Sequence, residues 1–120
     1  MTLPRNLKLF GLLTAALIAV SSCFRSATDR FVIADSKMYE ASLFRQNCAI
    51  CHGPEAEGKV LDNGTKVPSL RSGEFKFHTE DEIYRQIANG GNGMTPFRDI
   101  LTEREIHMMA QFVHDKLRQP

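Results

Sequence analysis

The chain has 120 residues and a formal net charge of +1, with 42% hydrophobic and 24% charged residues. A chain of this length forms one domain at most, and its core is small enough to be marginal on its own. The near balance of charge gives no basic surface of the kind that binds nucleic acid.

Residues 1–22 predict a secretory signal peptide. Arg5 and Lys8 give it a charged start, and residues 9–20 form an apolar run of 12 residues in which Thr14 is polar. The run is too short to span a bilayer comfortably, since spanning takes about 20 residues. Without this leader, 13 basic residues stand against 14 acidic ones.

Cys23 directly follows the leader. The residues Val20, Ser21 and Ser22 before it resemble the bacterial lipobox, in which an aliphatic and two small residues precede a cysteine that becomes the lipidated first residue of the mature protein. This predicts a lipid anchor at Cys23 and a location on the periplasmic side of a bacterial membrane. Cleavage after Ser21, which would give a soluble periplasmic protein with a free thiol, and an uncleaved anchor remain alternatives.

Residues 23–35 are predicted to form the lipidated terminus and a tether, because no helical period runs through them. The apolar trio at 31–33 is an exception and is expected to pack on the domain. The domain itself is predicted to occupy residues 36–120.

A helical pattern runs from Ser36 to about Ala49. Asp35 or Ser36 is a suitable cap, and Ala41 and Phe44 recur on one side. This helix is predicted to carry the cysteine motif that follows.

The motif C-x-x-C-H at residues 48–52 is the attachment signature of a covalently bound, c-type haem. On a helix, Cys51 and His52 lie three and four residues beyond Cys48, so the three side chains project from one face of a single turn. The two thiols are then placed to form thioethers with the haem vinyl groups, and the imidazole to bind the iron. We therefore predict one haem c per chain, which also adds apolar area to a small core.

Three other interpretations of a C-x-x-C pair fit less well. A redox dithiol is expected near a strand-helix-strand pattern, and no periodic apolar strand precedes Cys48. A zinc site needs a second pair of ligands, which His78, His107 and His114 do not supply at the required spacing. A disulfide between cysteines this close would stabilise the chain little.

The stretch from Phe44 through the motif resembles the amino-terminal helix of class I cytochromes c, and the likeness extends over residues 36–118. The resemblance implies an all-α cytochrome c fold, with three to four helices wrapped around one covalently bound haem. The sequence departs from the family at Glu40, eight residues before Cys48, where the family often has glycine. Ala41 is the nearest small residue.

Residues 67–70 match the family's P-x-L segment. The resemblance implies that the Pro68 carbonyl accepts the proton of the proximal imidazole and that Leu70 packs on the haem. An acceptor of that kind fixes the tautomer of the ring and raises its basicity. Without the haem motif, Pro68 would be interpreted as a turn residue.

A capping box at residues 79–82 opens a predicted helix that ends at Asn89. Ile83 and Ile87 share one face of this helix. The resemblance implies that this face lines the haem.

Residues 90–97 resemble the family loop that carries the sixth ligand of the iron, usually written G-x-M-P-x-F. The resemblance implies that Met94 is this ligand and that Pro96 and Phe97 belong to the haem pocket. The sequence departs from the pattern by placing Thr95 after Met94, although Phe97 keeps its offset from the methionine.

A second capping box at residues 102–105 opens the closing helix. In the family this helix crosses the first one, which would place Phe112 against Phe44. Its predicted apolar stripe consists of Ile106, Met109, Ala110, Val113 and Leu117.

Further side chains that can bind iron are Met38, Met108, Met109, His78, His107 and His114. A methionine on a helix is more often part of the core, which fits Met108 and Met109. His107 and His114 are expected to face solvent. Met94 lies in a glycine-rich loop, whose backbone freedom lets a thioether approach the iron.

The motif and the resemblance together predict a single-electron carrier that is not an enzyme, because protein ligands fill both axial positions of the iron. It would donate to a terminal oxidase or reductase outside the cytoplasmic membrane. Alternatives are a permanent electron-entry subunit of a larger membrane redox enzyme and a haem-based gas or redox sensor. Expected partners are an oxidase, a reductase or a quinol-oxidising complex, together with the membrane, and the chain is expected to be a monomer.

Five cations are expected near the haem rim and could form a docking patch for an acidic partner. A mixed, solvated surface is the alternative. The five are Lys59, Lys66, Arg71, Lys76 and Arg98.

Overall fold

The computed structural model describes residues 30–118, so the predicted signal peptide and Cys23 lie outside the described residues. Within this range four α-helices follow one another: α1 (Tyr39–Asn47), α2 (Ala49–His52), α3 (Glu80–Asn89) and α4 (Glu103–Phe112), the last continuing as a π-helix over Val113–Leu117. Two strands, β1 (Lys59–Val60) and β2 (Lys66–Val67), lie between α2 and α3. None of the helices within residues 30–118 is long and apolar enough to cross a membrane.

The helical class predicted from the sequence is confirmed in its main part, and the two strands correct it. They pair antiparallel, with Lys59 opposite Val67 and Val60 opposite Lys66. We call residues 59–67 the ribbon. A strand of two residues is too short to leave an alternating pattern in the sequence, so these strands were not predicted.

Both predicted capping boxes are present. The hydroxyls of Thr79 and Thr102 accept the N–H groups of Glu82 and Glu105, whose carboxylates accept the threonine N–H groups in return. These contacts satisfy donors that have no partner inside the helix. They fix where α3 and α4 begin, as the sequence predicted.

The first helix is shorter than predicted, because it begins at Tyr39 and not at Ser36. The N–H of Ser36 donates to the Ile33 carbonyl at 3.3 Å, and its hydroxyl accepts the N–H of Met38 at 3.2 Å. Serine side chains often offer the backbone such local alternatives to a helix. Residues 33–35 therefore form a turn, and α1 begins only at Tyr39.

The core lies where α1 crosses α4. Ala41 and Phe44 are fully buried, and the Phe44 ring centroid is 6.4 Å from that of Phe112. This is the predicted crossing of the first and closing helices. The predicted stripe of α4 and its extension is buried throughout: Ile106, Met109, Ala110, Val113 and Leu117.

Residues 31–36, which we call the strap, pack against this core. The side chain of Ile33 is 0% exposed, and the Phe31 ring meets the Phe112 ring edge-on with centroids 5.4 Å apart. Val32 between them is 47% exposed. The apolar trio therefore packs on the domain through its first and third members, as predicted.

Polar contacts hold the same strap to the loop after α2. The Glu55 carboxylate accepts the N–H groups of Ile33 and Ala34 at 2.9 and 2.8 Å. The Arg71 guanidinium donates to the Phe31 carbonyl at 2.9 Å and pairs with Glu55 at 3.0 Å. Because hydrogen bonds to charged groups are the stronger kind, this network fixes the strap in place.

We expect Ile33→Ala to lower the free energy of unfolding of the haem-loaded protein by about 2–5 kcal/mol, because it leaves a cavity in the core. The matched control is Val32→Ala, whose exposed side chain should change the same quantity by about 0.5 kcal/mol or less. Guanidinium chloride titration measures both. Equal losses in the two variants would show that the strap does not belong to the core.

Candidate functional site

The C-x-x-C-H motif forms one helical turn, as predicted. The carbonyl of Cys48 accepts the N–H groups of Cys51 and His52 at 3.1 and 2.9 Å. Cys48 itself has a φ of −113°, which separates α1 from α2. Cys48 is half-buried and Cys51 exposed, and both are free thiols. The turn therefore presents two thiols and an imidazole from a single backbone segment.

The Cys48 thiol is not set up as a redox nucleophile. Burial raises its pKa to about 12. A reactive dithiol needs a lowered pKa, so this environment argues against a thioredoxin-like role. Within residues 30–118 no group of three or more His, Cys, Asp or Glu side chains could hold a metal ion.

The surroundings of the His52 imidazole suit a metal ligand. Its Nδ1 atom is buried and has no hydrogen-bond partner within the described residues. Burial lowers the pKa of the ring, which favours the neutral form that binds metals. A buried, unpartnered ring nitrogen is costly in a protein of ordinary packing.

The loop after the motif brings the Pro68 segment to the haem turn. The N–H of Gly58 donates to the His52 carbonyl at 2.8 Å. Gly58 has a φ of 86°, and a Cβ there would lie 2.7 Å from the Val67 carbonyl oxygen and 2.9 Å from the Pro68 carbonyl carbon. Glycine is thus required for this close approach. The N–H of Leu70 donates to the Ala56 carbonyl at 2.9 Å, which fixes the end of the segment.

The bond expected between the Pro68 carbonyl and the His52 imidazole is absent, since Nδ1 has no partner. Pro68 is exposed, and its carbonyl group lies against Gly58 instead. The Pro68 segment lies next to the haem-attachment turn, but it does not form the predicted hydrogen bond with His52. Leu70 is partly buried and packs against the core.

The Met94 loop folds back on the end of α3. Gly91 and Met94 form an antiparallel bridge, with N–H to carbonyl distances of 2.9 and 3.0 Å. Gly90 has a φ of 67°, and a Cβ there would lie 2.5 Å from the Met94 carbonyl oxygen. The loop therefore depends on glycine at position 90, where a side chain would push Met94 away.

Gln86 also holds the Met94 loop, a role that was not predicted from the sequence. Its side-chain amide donates to the Gly91 carbonyl at 2.9 Å and to the Met94 Sδ atom at 3.7 Å. Gln86 lies one turn before Gly90 on α3, and this position beside the loop is the signal that could have found it.

The extra residue Thr95 is accommodated without displacing the end of the loop. The N–H of Phe97 donates to the Ile87 carbonyl at 3.0 Å, so Phe97 returns to α3. Pro96 is exposed and packs its backbone nitrogen against Gly90. Ile83 and Ile87 are buried on the face of α3 predicted to line the pocket.

Four of the predicted site residues lie at the edge of the core. Cys48, Leu70, Met94 and Phe97 are each partly buried and pack against the same core. They come from three separate segments of the chain, since Met94 and Phe97 share one loop. Partly buried apolar side chains from several segments suit a large apolar cofactor.

The rival ligands lie elsewhere. Met109 is buried in the core, and His107 stacks on Tyr84 at a centroid distance of 4.1 Å. Met38, Met108 and His114 line an open groove of about 660 Å³ beside the closing helix. His107 and His114 are exposed, as predicted.

One predicted docking cation is wrongly assigned. The Arg71 side chain is 5% exposed because it forms the ion pair with Glu55 that holds the strap. It cannot meet a partner at the surface. Lys59, Lys66, Lys76 and Arg98 are exposed.

A helical C-x-x-C-H turn, an imidazole whose pKa is lowered by burial, and a thioether-bearing loop that packs on the same core are the features of a c-type cytochrome domain. A family model described as "Cytochrome C oxidase, cbb3-type, subunit III" matches residues 40–113, which is more than half of the chain. The chain belongs to this family and carries one covalently bound haem c with its iron.

Similarity to individual proteins supports the family assignment. The chain is 33% identical over 91 residues to the cbb3-type cytochrome c oxidase subunit FixP of Sinorhizobium medicae (strain WSM419), a match covering 67% of the chain and 30% of FixP. It is 32% identical over 76 residues to cytochrome c6 of Synechococcus elongatus, covering 63% of the chain and 85% of that protein. Cytochrome c6 of Synechococcus sp. (strain ATCC 27167 / PCC 6312) is 28% identical over 108 residues, covering 90% of the chain and 91% of the relative. No solved structure matches the chain significantly.

Proposed function

We propose that the chain is a single-electron carrier on the periplasmic side of a bacterial membrane, where it donates electrons to a terminal oxidase or reductase. The observation that carries this proposal is the haem-attachment turn, which combines two free thiols with an imidazole whose pKa is lowered by burial. That combination suits a fixed cofactor better than a site that binds and releases substrate.

Four side chains would hold the cofactor. Cys48 and Cys51 would form the two thioethers, and His52 and Met94 would bind the iron from its two sides. When bound, the haem supplies a centre that takes up and releases one electron. Gln86 and the Met94 loop keep the thioether in position.

Apolar residues of the pocket serve the same function by excluding water. Ile83 and Ile87 are buried, and Leu70 and Phe97 are half-buried around the proposed site. A dry, apolar environment and a methionine ligand both favour a high reduction potential. A carrier of this kind suits the late, oxidising end of an electron-transfer chain.

A second candidate is a permanent electron-entry subunit of a larger membrane redox enzyme. It is favoured by the family match, whose description names a subunit of an oxidase. The chain spans only 30% of FixP, whereas it spans most of cytochrome c6 from Synechococcus elongatus. The near full-length match to the small cytochrome makes the free carrier our first choice. A haem-based gas or redox sensor would need Met94 to leave the iron.

We also propose that Cys23 carries lipid and anchors the domain. The lipobox-like sequence before it supports this assignment. Two acyl chains hold a small protein at a membrane where one would not, at about 0.8 kcal/mol per buried methylene.

One purification tests these assignments together. The full-length protein, matured with haem, is extracted from membranes in detergent, sized by gel filtration and examined by spectroscopy and intact-mass measurement. We expect a monomer with a diacylglycerol-modified Cys23, and a reduced spectrum that carbon monoxide does not change at neutral pH. A change on adding carbon monoxide would indicate a labile iron ligand and a sensor, and a stable larger complex would indicate a subunit. An unmodified Cys23 would contradict the lipid anchor alone.

A further inference from the structure

The backbone just before Met94 adopts a run of left-handed conformations. The four φ angles are 67° at Gly90, 104° at Gly91, 53° at Asn92 and 85° at Gly93. Asparagine is one of the few residues besides glycine that visits this region of φ. Since so many other conformations are open to three glycines, contacts with other segments are needed to keep the loop in this one.

Asn92 is held by a residue outside the loop. The Lys76 ammonium donates to the Asn92 Oδ1 atom at 3.0 Å, and both residues are exposed. The Gln86 amide holds the neighbouring Gly91 carbonyl at 2.9 Å. Two adjacent positions of the loop are thus held, one from α3 and one from the segment that precedes α3. Met94 lies two residues beyond Asn92.

Lys76 lies in a segment whose backbone makes few contacts. Within residues 30–118, none of residues 73–77 forms a backbone–backbone hydrogen bond. Such a segment keeps its place only through its side chains and through the side chains that contact it. We call residues 75–77 the brace. Phe77 is half-buried and packs against the core, which fixes one end of the brace.

Arg118 fixes the same brace from the end of the closing helix. Its Nη1 atom donates to the Phe77 carbonyl at 2.7 Å, and its guanidinium carbon lies 4.1 Å from the centroid of the Phe75 ring. A guanidinium over an aromatic ring is attracted to it, and more strongly where water is partly excluded. One side chain therefore holds both the backbone and a ring of the brace.

The π-helix at the end of α4 places Arg118 for this contact. Residues five apart are hydrogen-bonded neighbours in a π-helix, whereas an α-helix pairs residues four apart. This wider winding over Val113–Leu117 brings Arg118 toward the side of the helix that Val113 and Leu117 bury. The brace lies on that side.

We propose that Lys76 and Arg118 are positioning residues for Met94. Arg118 holds the brace against the closing helix, and Lys76, on the brace, holds Asn92 and with it the loop of the ligand. This inference rests on the proposed function, in which the Met94 sulfur binds the iron, and it adds the contacts that keep the sulfur there. Breaking either contact lets the loop leave the iron more readily without changing which residue is the ligand.

The test measures how readily added imidazole replaces the Met94 sulfur in the oxidised, full-length, haem-loaded protein in detergent. The bond between iron and sulfur breaks, a bond between iron and imidazole nitrogen forms, and no electron is transferred. A spectroscopic titration follows the loss of the charge-transfer band and gives an apparent dissociation constant. A loop that leaves the iron more often gives a lower constant, because a larger fraction of the protein can bind imidazole.

Lys76→Leu should lower the apparent dissociation constant for imidazole by about fivefold, which corresponds to the loss of one typical hydrogen bond. Lys76→Arg keeps a cationic donor and should restore most of the wild-type value. The matched control is Lys66→Leu, which removes the same charge from an exposed lysine of the ribbon and should leave the constant unchanged.

A double-variant cycle shows whether Lys76 acts through Asn92. Asn92→Gly removes the acceptor and still allows a positive φ. In the Asn92→Gly protein, Lys76→Leu should have little further effect, since residues that share one contact are not additive.

The same reasoning applies to Arg118. Arg118→Ala should lower the constant for imidazole in the wild-type protein but have little further effect in the Lys76→Leu protein, because Arg118 reaches the loop through the brace. Arg104→Ala, at an exposed position in the first turn of α4, is its control and should change nothing. If Arg118→Ala does not fold, the cycle of Lys76→Leu and Asn92→Gly decides.

The outcomes separate this inference from the proposed function. Additive effects of Lys76→Leu and Asn92→Gly, or an equal effect of Lys66→Leu, would overturn the positioning role and leave Met94 as the ligand. A wild-type protein that lacks the charge-transfer band would overturn the ligand assignment and the positioning role with it. Unchanged reduced spectra in every variant should show that the haem itself stays attached.

Discussion

Replacing both Cys48 and Cys51 with serine is expected to abolish covalent attachment of the haem. A serine hydroxyl has nearly the size of a thiol, but it does not form the thioether that holds a c-type haem. Both cysteines are free thiols on one helical turn, and no other cysteine lies within residues 30–118. Extraction with acidified acetone, followed by haem staining of the denatured polypeptide, should find no haem on the double variant.

The third cysteine of the chain provides the matched control. Cys23→Ser removes a thiol outside the motif and should leave both thioethers in place, so its polypeptide should stain fully for haem. Cys51→Ser alone should retain at most one thioether. Haem that stays with the polypeptide of the Cys48→Ser, Cys51→Ser variant after extraction would contradict the motif assignment.

The features that the sequence predicted well depend on residues close together in the chain. The capping boxes of α3 and α4 each join residues three apart, and both are present. The turn at residues 48–52 is likewise local, and its hydrogen bonds have the expected spacing. Local signals of this kind are read directly from a sequence because the chain between the partners has few ways to arrange itself.

The features that were missed depend on residues far apart. Glu55 accepts a hydrogen bond from Ile33, which is 22 residues earlier in the chain. Arg71 donates one to Phe31, which is 40 residues earlier. The charges of Glu55 and Arg71 do not reveal these contacts. Arg71 was therefore predicted to lie at the surface. A charged residue is nearly always exposed unless it is paired, and the sequence does not show which residue its partner is. The two-residue strands of the ribbon were missed because they are too short to show a period.

Replacing Met94 with histidine is expected to keep the haem low-spin and to lower its reduction potential by about 0.1 V or more, within the range of about 0.8 V that axial ligands span. A thioether favours the reduced iron, whereas a second imidazole is a stronger donor and favours the oxidised form. Potentiometric titration followed by absorbance measures the change. The oxidised spectrum should also lose its charge-transfer band at the red end.

Met109→Leu is the matched control for this substitution. Met109 is buried in the core on α4, and leucine has a similar volume, so the potential and the band should stay as in the wild-type protein. An unchanged potential in Met94→His, or the same loss of the band in Met109→Leu, would mean that the sixth ligand is not Met94.

The variant Gln86→Leu tests how the loop holds the proposed ligand, whereas Met94→His tests which residue the ligand is. The amide N–H of Gln86 donates to the Met94 sulfur, 3.7 Å away. With Met94 as the proposed sixth ligand, this hydrogen bond would withdraw electron density from the sulfur and favour the reduced iron. Its removal should lower the potential in the same direction as Met94→His but by about 60 mV or less, since one tenfold change in a one-electron equilibrium is about 59 mV. The charge-transfer band should remain, because the sulfur is still bound. A band lost from Gln86→Leu as completely as from Met94→His would show that the hydrogen bond, and not the fold of the glycine-rich loop, keeps the methionine at the iron.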